Sequence, residues 1–188
     1  NSVDILVCMS AINYFSIERA SKIIQDVNRV LKPGGITRFG VQDLRTIAKH
    51  YLEKNFSFFM QKLPDGSIQF PGATFADKFN HFNILGKYIY DYDALKLLFK
   101  NGGFNKIDQK EYQDSAILGI EKIDNRPEMF FYLEATKDDE NYYYKKGVIL
   151  LNEGKTEQSW QCFIKALNIN VGNKDLVFTV MDILIAEG

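Results

Sequence analysis

The stretch Arg29-Val30-Leu31-Lys32-Pro33-Gly34-Gly35-Ile36-Thr37-Arg38-Phe39 constrains this chain more than any other. Ahead of it, Ser16 is a good helix N-cap. Ile17, Ala20, Ile23, Ile24, Val27, Val30 and Leu31 then recur at three- and four-residue steps, forming the apolar stripe of a 3.6-residue period. Pro33 cannot continue that helix, and it pushes Lys32 out of the α region. Gly34 or Gly35 can take the positive φ that ends the helix and turns the chain into the next apolar run. Before the helix, Val3-Asp4-Ile5-Leu6-Val7-Cys8-Met9 is nearly continuous in apolar residues, the pattern of a strand buried on both faces of a parallel sheet. With a second strand expected over Gly35 to Val41, strand, helix and strand follow with short joints. This rhythm predicts a parallel, right-handed crossover unit.

A second helix is expected over Leu44 to Lys54, with Ile47, Ala48, Tyr51 and Leu52 on its apolar face. Residues 56 to 90 then break the rhythm. They are rich in aromatics (Phe56, Phe58, Phe59, Phe70, Phe75, Phe79, Phe82, Tyr88, Tyr90) and punctuated by Pro64-Asp65-Gly66 and Pro71-Gly72. A connection this long is functional or carries short helices of its own. Asp91 or Asp93 caps a helix through Phe99, closed by Gly102-Gly103. Phe104 to Tyr112 and Met129 to Thr136 read as the last two strands.

Composition narrows the class. With 46% hydrophobic and 25% charged residues in 188, the chain can bury a core as one medium domain or one domain plus a small one. A formal net charge of −1 gives no global pull toward nucleic acid or an anionic membrane. Cys8 and Cys162 lie far apart without metal-type spacing, as expected of free buried thiols in a reducing compartment. No apolar run approaches the roughly 20 residues that span a bilayer, and no signal peptide opens the chain, so the expected location is cytoplasmic. A parallel strand needs neighbours on each side, and Asp182 to Gly188 stops at one helix of a pair. The chain is therefore expected to be an excerpt of a longer protein.

The Leu31-Lys32-Pro33-Gly34-Gly35 turn resembles that of class I S-adenosylmethionine-dependent methyltransferases. The run from Tyr90 to Phe104 looks like that family's closing helix, glycine turn and sixth strand. Val41-Gln42-Asp43-Leu44 resembles the "VPDL" signature of one subgroup, with glutamine in place of proline. The resemblance covers residues 1–137. It implies an α/β fold, the C-terminal part of a Rossmann-like methyltransferase sheet with helices on both faces. It also implies S-adenosylmethionine as cofactor and methyl transfer to a small-molecule, glycan or protein acceptor. The glycine-rich Gly-x-Gly loop of the family does not occur in these residues and is expected before Asn1. Where the subgroup has "SHVLEH", this chain has Ser10-Ala11-Ile12-Asn13-Tyr14-Phe15.

Ligands of open α/β sheets sit outside the carboxyl ends of the strands. Cys8, Met9, Ser10 and Ala11 occupy that edge, where the resemblance implies cofactor contact. Asp43 follows the next strand, as a catalytic candidate or as a helix N-cap. His81, in the aromatic insert, is a candidate base or acceptor-site group. His50, beside Tyr51, is expected to face solvent. No metal site is expected.

From Glu140 the residues Tyr143, Gly147, Leu150, Gly154, Ser159, Phe163 and Ala166 fall at spacings that resemble the tetratricopeptide repeat, a helix-turn-helix unit of 34 residues. Tyr143 replaces the usual tryptophan, and Val171 stands where proline is frequent. A second unit is expected from Lys174, with Gly188 in register with Gly154. Residues 138–188 thus form an all-α helical-repeat segment, whose concave face would dock a protein partner. Two functions follow: a methyltransferase with a docking array, or a non-catalytic interaction module built on a degenerate methyltransferase fold.

Overall fold

Ser16 Oγ accepts the Arg19 N–H at 3.4 Å and starts α1 (Ile17–Val30). The computed structural model describes residues 2–69, 72–170 and 172–187, with the side chains of residues 82–85, 184, 186 and 187 outside that description. Expectations on Phe70, Pro71, Val171, Gly188 and the side chain of Phe82 therefore fall outside the described residues. The stripe of α1 behaves as its period requires, with Ala20, Ile24 and Val27 buried. Its end does not follow the glycines. Leu31 closes the helix in an extended conformation, its N–H bonding to Val27 O, two residues before Pro33.

β1 (Val3–Met9) and β2 (Leu31–Gln42) pair in parallel. Val3 faces Leu31 but Ile5 faces Ile36, so β2 begins earlier than expected and residues 32–35 loop out of the ladder. Gly34, at φ +76°, makes that loop. Gly35 is hemmed in by carbonyls: a Cβ there would lie 2.8 Å from Lys32 O and 3.1 Å from Asp4 O. The loop also clamps the far end of the sheet. Gly34 N–H donates to Lys137 O (3.0 Å), Lys137 N–H to Gly35 O (2.9 Å) and Lys137 Nζ to Leu31 O (2.8 Å).

β3 (Lys106–Lys110) and β4 (Phe130–Thr136) complete a four-stranded sheet in the order β1-β2-β4-β3, with β4 antiparallel to both neighbours. α1 packs with α5 (Tyr92–Asn101) on one face, over a core that includes Leu31, Phe39, Leu95, Phe99, Phe104 and Leu133. Asp91 caps α5 by accepting the Ala94 N–H at 2.9 Å. Over Arg38, Tyr132 and Glu134 on the other face lies the connection 111–129, with a 3-10 turn at Ile120–Lys122, and not a helix. β1 is less buried than its composition predicts: Leu6 and Cys8 pack on the core, while Ile5 is 47% exposed at a sheet edge.

After α2 (Leu44–Leu52), the aromatic insert folds into α3 (Phe56–Phe59) and α4 (Phe75–Leu85). Phe58 and Phe59 of the insert share a small core with Ile47 of α2 and with Met129, and Phe75 and Phe79 pack against it. Leu52, expected on the apolar face of α2, is instead 78% exposed, because α2 turns only Ile47 fully inward. His50 does not simply face water; its ring stacks on Phe58 at 4.0 Å. Beyond β4 come α6 (Glu140–Asn152), α7 (Thr156–Ile169) and α8 (Lys174–Glu187). α6 crosses α7 where Gly147 meets the Phe163 ring, and Leu176 and Val180 of α8 pack on Phe163 and Ala166. Among the described residues no helix is long and apolar enough to cross a membrane.

Candidate functional site

Parallel pairing brings the carboxyl ends of β1 and β2 side by side, with Cys8 opposite Phe39 and Met9 opposite Gly40. Ser10 follows, its N–H donating to Gly40 O at 2.9 Å. Its φ is +55°, a left-handed backbone that a non-glycine residue adopts at a cost of order 1 kcal/mol. Such strain persists only where the surroundings over-determine it, and Ser10 is pinned between the ladder and the 3-10 turn Ile12–Tyr14.

The neighbours of Ser10 divide by strand alternation. Cys8 turns with Leu6 toward the core, and burial pushes its thiol above the ordinary range, against the pull of the Ala11 and Ile12 backbone. Met9 points to the opposite face, its sulfur lying where a Cβ on Gly40 would stand, next to the Tyr132 ring. Of the four, Ser10 and Ala11 form the turn that leaves the strand edge.

The insert is stitched to this edge at two points. Asn13 is buried, and its backbone carbonyl accepts the N–H groups of Lys87 (2.7 Å) and Tyr88 (3.2 Å). Tyr90 bridges Asp43, and its carbonyl accepts the Leu44 N–H at 2.9 Å. Both residues carry a buried polar atom that has no hydrogen-bond partner among the described residues: Asn13 Oδ1 and the Tyr90 hydroxyl. Burial pushes that hydroxyl up to about 12. Neither residue was singled out from the sequence; the only signal for Asn13 was an amide in an apolar stretch, and Tyr90 was one aromatic among many.

Asp43 lies at the same edge and caps α2. One carboxylate oxygen accepts the Arg45 N–H at 3.1 Å, and the other accepts the N–H (3.3 Å) and hydroxyl (2.8 Å) of Thr46. His81 sits in the middle of α4, half-buried, and no hydrogen bond or ring contact among the described residues joins it to Ser10 or Asp43. Sequence reasoning also missed a charged cluster on the far face of the sheet. Arg38, fully buried, satisfies all five of its donors: Asp124 twice (2.9 and 2.5 Å), Glu134 (2.9 Å), Asp114 O (3.0 Å) and Glu111 O (2.9 Å). Its guanidinium lies 4.7 Å from the centre of the Tyr132 ring. Burial alone would ease the proton off, but the bonds from Asp124 and Glu134 outweigh it and raise the group above its usual value. A cluster so fully paired is a structural anchor for the 111–129 connection. No group of His, Cys, Asp and Glu among the described residues is arranged to hold a metal ion.

Residues 1–39, about a fifth of the 188, match a family of methyltransferase domains. The match covers β1, α1 and most of β2, the elements that build the strand edge. Among solved structures, a candidate O-methyltransferase from Nostoc punctiforme is 11% identical, with a TM-score of 0.43 over 73% of this chain and 32% of that one. An O-methyltransferase family protein from Burkholderia thailandensis is 14% identical, with a TM-score of 0.40 over 73% and 31%. A SAM-dependent methyltransferase from Methanosarcina mazei is 19% identical, with a TM-score of 0.38 over 73% and 60%. The chain spans about a third of the length of the first of these structures. No curated protein matches the chain.

Proposed function

We propose that this chain serves S-adenosylmethionine-dependent methyl transfer to a small-molecule, glycan or protein acceptor, with the β1–β2 edge as part of the cofactor site. The observation that carries this reading is the family match over residues 1–39, which runs through the edge where Ser10 is held left-handed. The residues there suit such a ligand. Ser10 and Ala11 offer a hydroxyl and a tightly turned backbone, and Asn13 Oδ1 is an acceptor still lacking a donor among the described residues. When bound, S-adenosylmethionine supplies an electrophilic methyl group. What this chain contributes is position, since alignment of the reacting atoms supplies most of the rate in such a transfer. A hydroxyl or ammonium acceptor additionally needs a base. His81 is our candidate for it, with Asp43 holding the start of α2 beside the site.

We further propose residues 1–137 as the methyltransferase-like unit and 138–188 as a tetratricopeptide-like unit for docking a protein partner. Gly147 against Phe163 and the turn at Gly154, φ +74°, support that assignment. The two free thiols support a reducing, cytoplasmic setting. One observation favours the non-catalytic reading: both oxygens of Asp43 are engaged in capping, which leaves that carboxylate poorly placed to act as a base. Isothermal titration of the longer protein expected above with S-adenosylmethionine tests the proposal. Saturable binding is expected, and no binding by that folded protein would sink it, whereas these 188 residues alone, without the glycine loop, are expected to bind weakly or not at all.

A further inference from the structure

The net charge of −1 is not spread evenly along the chain. Residues 44–90, which build α2 and the aromatic insert, hold six lysines and arginines against three carboxylates, so the acidic excess lies elsewhere. Exposed apolar side chains gather in the same region. Leu52 and Phe56 stand 78% and 58% in solvent, and Met60 and Leu63 follow as exposed residues. Apolar side chains scattered singly over a surface need no explanation, but four within one short segment do.

Local structure turns them outward. Lys54 takes a left-handed backbone, φ +51°, and the Asn55 N–H donates to His50 O at 3.0 Å, so α2 turns sharply into α3. Phe58 and Phe59 then fill the small core beneath. Phe56 and Met60, one turn apart and joined by the bond from Met60 N–H to Phe56 O (3.0 Å), are left on the other side. The Phe56 ring meets Phe75 at 4.1 Å and still keeps more than half its surface in water. A short helix apolar on both sides calls for a second apolar cover. Lys49, Lys54 and Lys62, all exposed, interleave with these side chains along the chain and form no ion pair among the described residues. Arg45, by contrast, is paired with Asp93 at 2.6 Å. The acidic residues of the segment are Glu53 and Asp65, and Asp65 is turned back onto the Ser67 N–H at 2.9 Å.

The cover must suit both the shape and the charge of this face. A partner helix lays its apolar stripe into a groove, whereas Leu52 and Phe56 protrude. A second copy of the chain would set the same lysines against each other, and like charges brought together oppose association. A lipid interface opens around protruding leucine, phenylalanine and methionine side chains, and anionic head groups attract the lysines beside them. We propose that the segment from Lys49 to Leu63 docks the chain on an anionic lipid bilayer. Leu52, Phe56, Met60 and Leu63 enter the interface, and Lys49, Lys54 and Lys62 meet lipid phosphates. This surface is independent of the methyl-transfer reading and stands or falls without it.

The test is co-sedimentation of the longer protein expected above with vesicles of equal parts phosphatidylcholine and phosphatidylserine, and with vesicles of phosphatidylcholine alone. Binding to the mixed vesicles is expected to exceed binding to the neutral ones by about ten-fold or more, and to fall as salt screens the lysines. Lys49→Glu, Lys54→Glu and Lys62→Glu combined, all at exposed positions, are expected to abolish that preference. Leu52→Ser with Phe56→Ser is expected to weaken binding to the mixed vesicles by about ten-fold or more. Should the loss of Phe56 from Phe75 unfold the insert, Leu52→Ser alone is expected to weaken binding several-fold in a folded protein. Equal binding to both kinds of vesicle, no binding to the mixed ones, or undiminished binding by the folded variants would each overturn the proposal. A lipid-free dimer that Leu52→Ser breaks, with no vesicle binding, would overturn it too and give the face to a second copy.

Discussion

Phe39 and Arg38 are neighbours on β2, and both are buried, at 1% and 0% exposure, yet they are held by different physics. Phe39 faces α1 and α5, edge-on to Phe99 at 5.0 Å and close to Leu133. Its stabilisation comes from removing apolar area from water, which has no preferred direction. Arg38 faces the 111–129 connection, and its burial is tolerable only because five acceptors stand where its five donors point. One face should therefore tolerate a swap of similar volume, while the other fails once a single partner is gone.

The comparison can be broken most directly at Arg38. Arg38→Met strands the buried carboxyl groups of Asp124 and Glu134, and a loss of about 3–5 kcal/mol is expected in urea unfolding. Leu133→Ala, on the apolar face, is expected to cost about 3 kcal/mol, and Leu133→Met less than about 1.5. If Arg38→Met proved as mild as Leu133→Met, the contrast between the faces would be wrong.

A smaller effect, about 1–2 kcal/mol, is expected from Gly147→Ala. The new methyl meets the Phe163 ring, which cannot retreat from a packed core, and the better helix propensity of alanine offsets only part of the strain. Hydrogen exchange should then quicken in α6 and α7 while the sheet amides stay protected; equal quickening in both would show that the two regions unfold as one.

The smallest effect is at Tyr90. Its hydroxyl, without a hydrogen-bond partner among the described residues, contributes little at neutral pH, so Tyr90→Phe is expected to change stability there by under about 1 kcal/mol. Burial holds the group at about 12 in the fold, against 10.0 for the exposed phenol. The unfolded chain thus loses the proton first. The stability linked to it is complete below about pH 10 and is lost as pH rises to about 12. Tyr143, also pushed up to about 12 chiefly by burial, acts in the same direction. Tyr90→Phe should flatten the alkaline slope of stability without removing it, and an unchanged slope would count against the buried hydroxyl.

By itself the sequence determined what depends on near neighbours. The Ser16 and Asp91 caps and the stripe of α1 rest on three- and four-residue spacings and stand where the pattern put them, whereas the helix ends at Val30, short of the break expected at Pro33. The parallel pairing of β1 and β2 followed from the helix between them, and the sequence already placed a turn at Ser10, at the carboxyl end of β1. Tertiary structure alone decided which distant groups meet. β4 slips between β2 and β3, and its pairing carries Glu134 to Arg38 across 96 residues, while the returning connection brings Asp124 across 86. Arg38 reads as solvent-facing in any local window, because a charged residue defaults to water unless such partners arrive. The same holds for residues 32–35, looped out by register with β1. Local geometry follows from residue spacing, but burial of a polar group depends on partners that only the assembled sheet and helices supply.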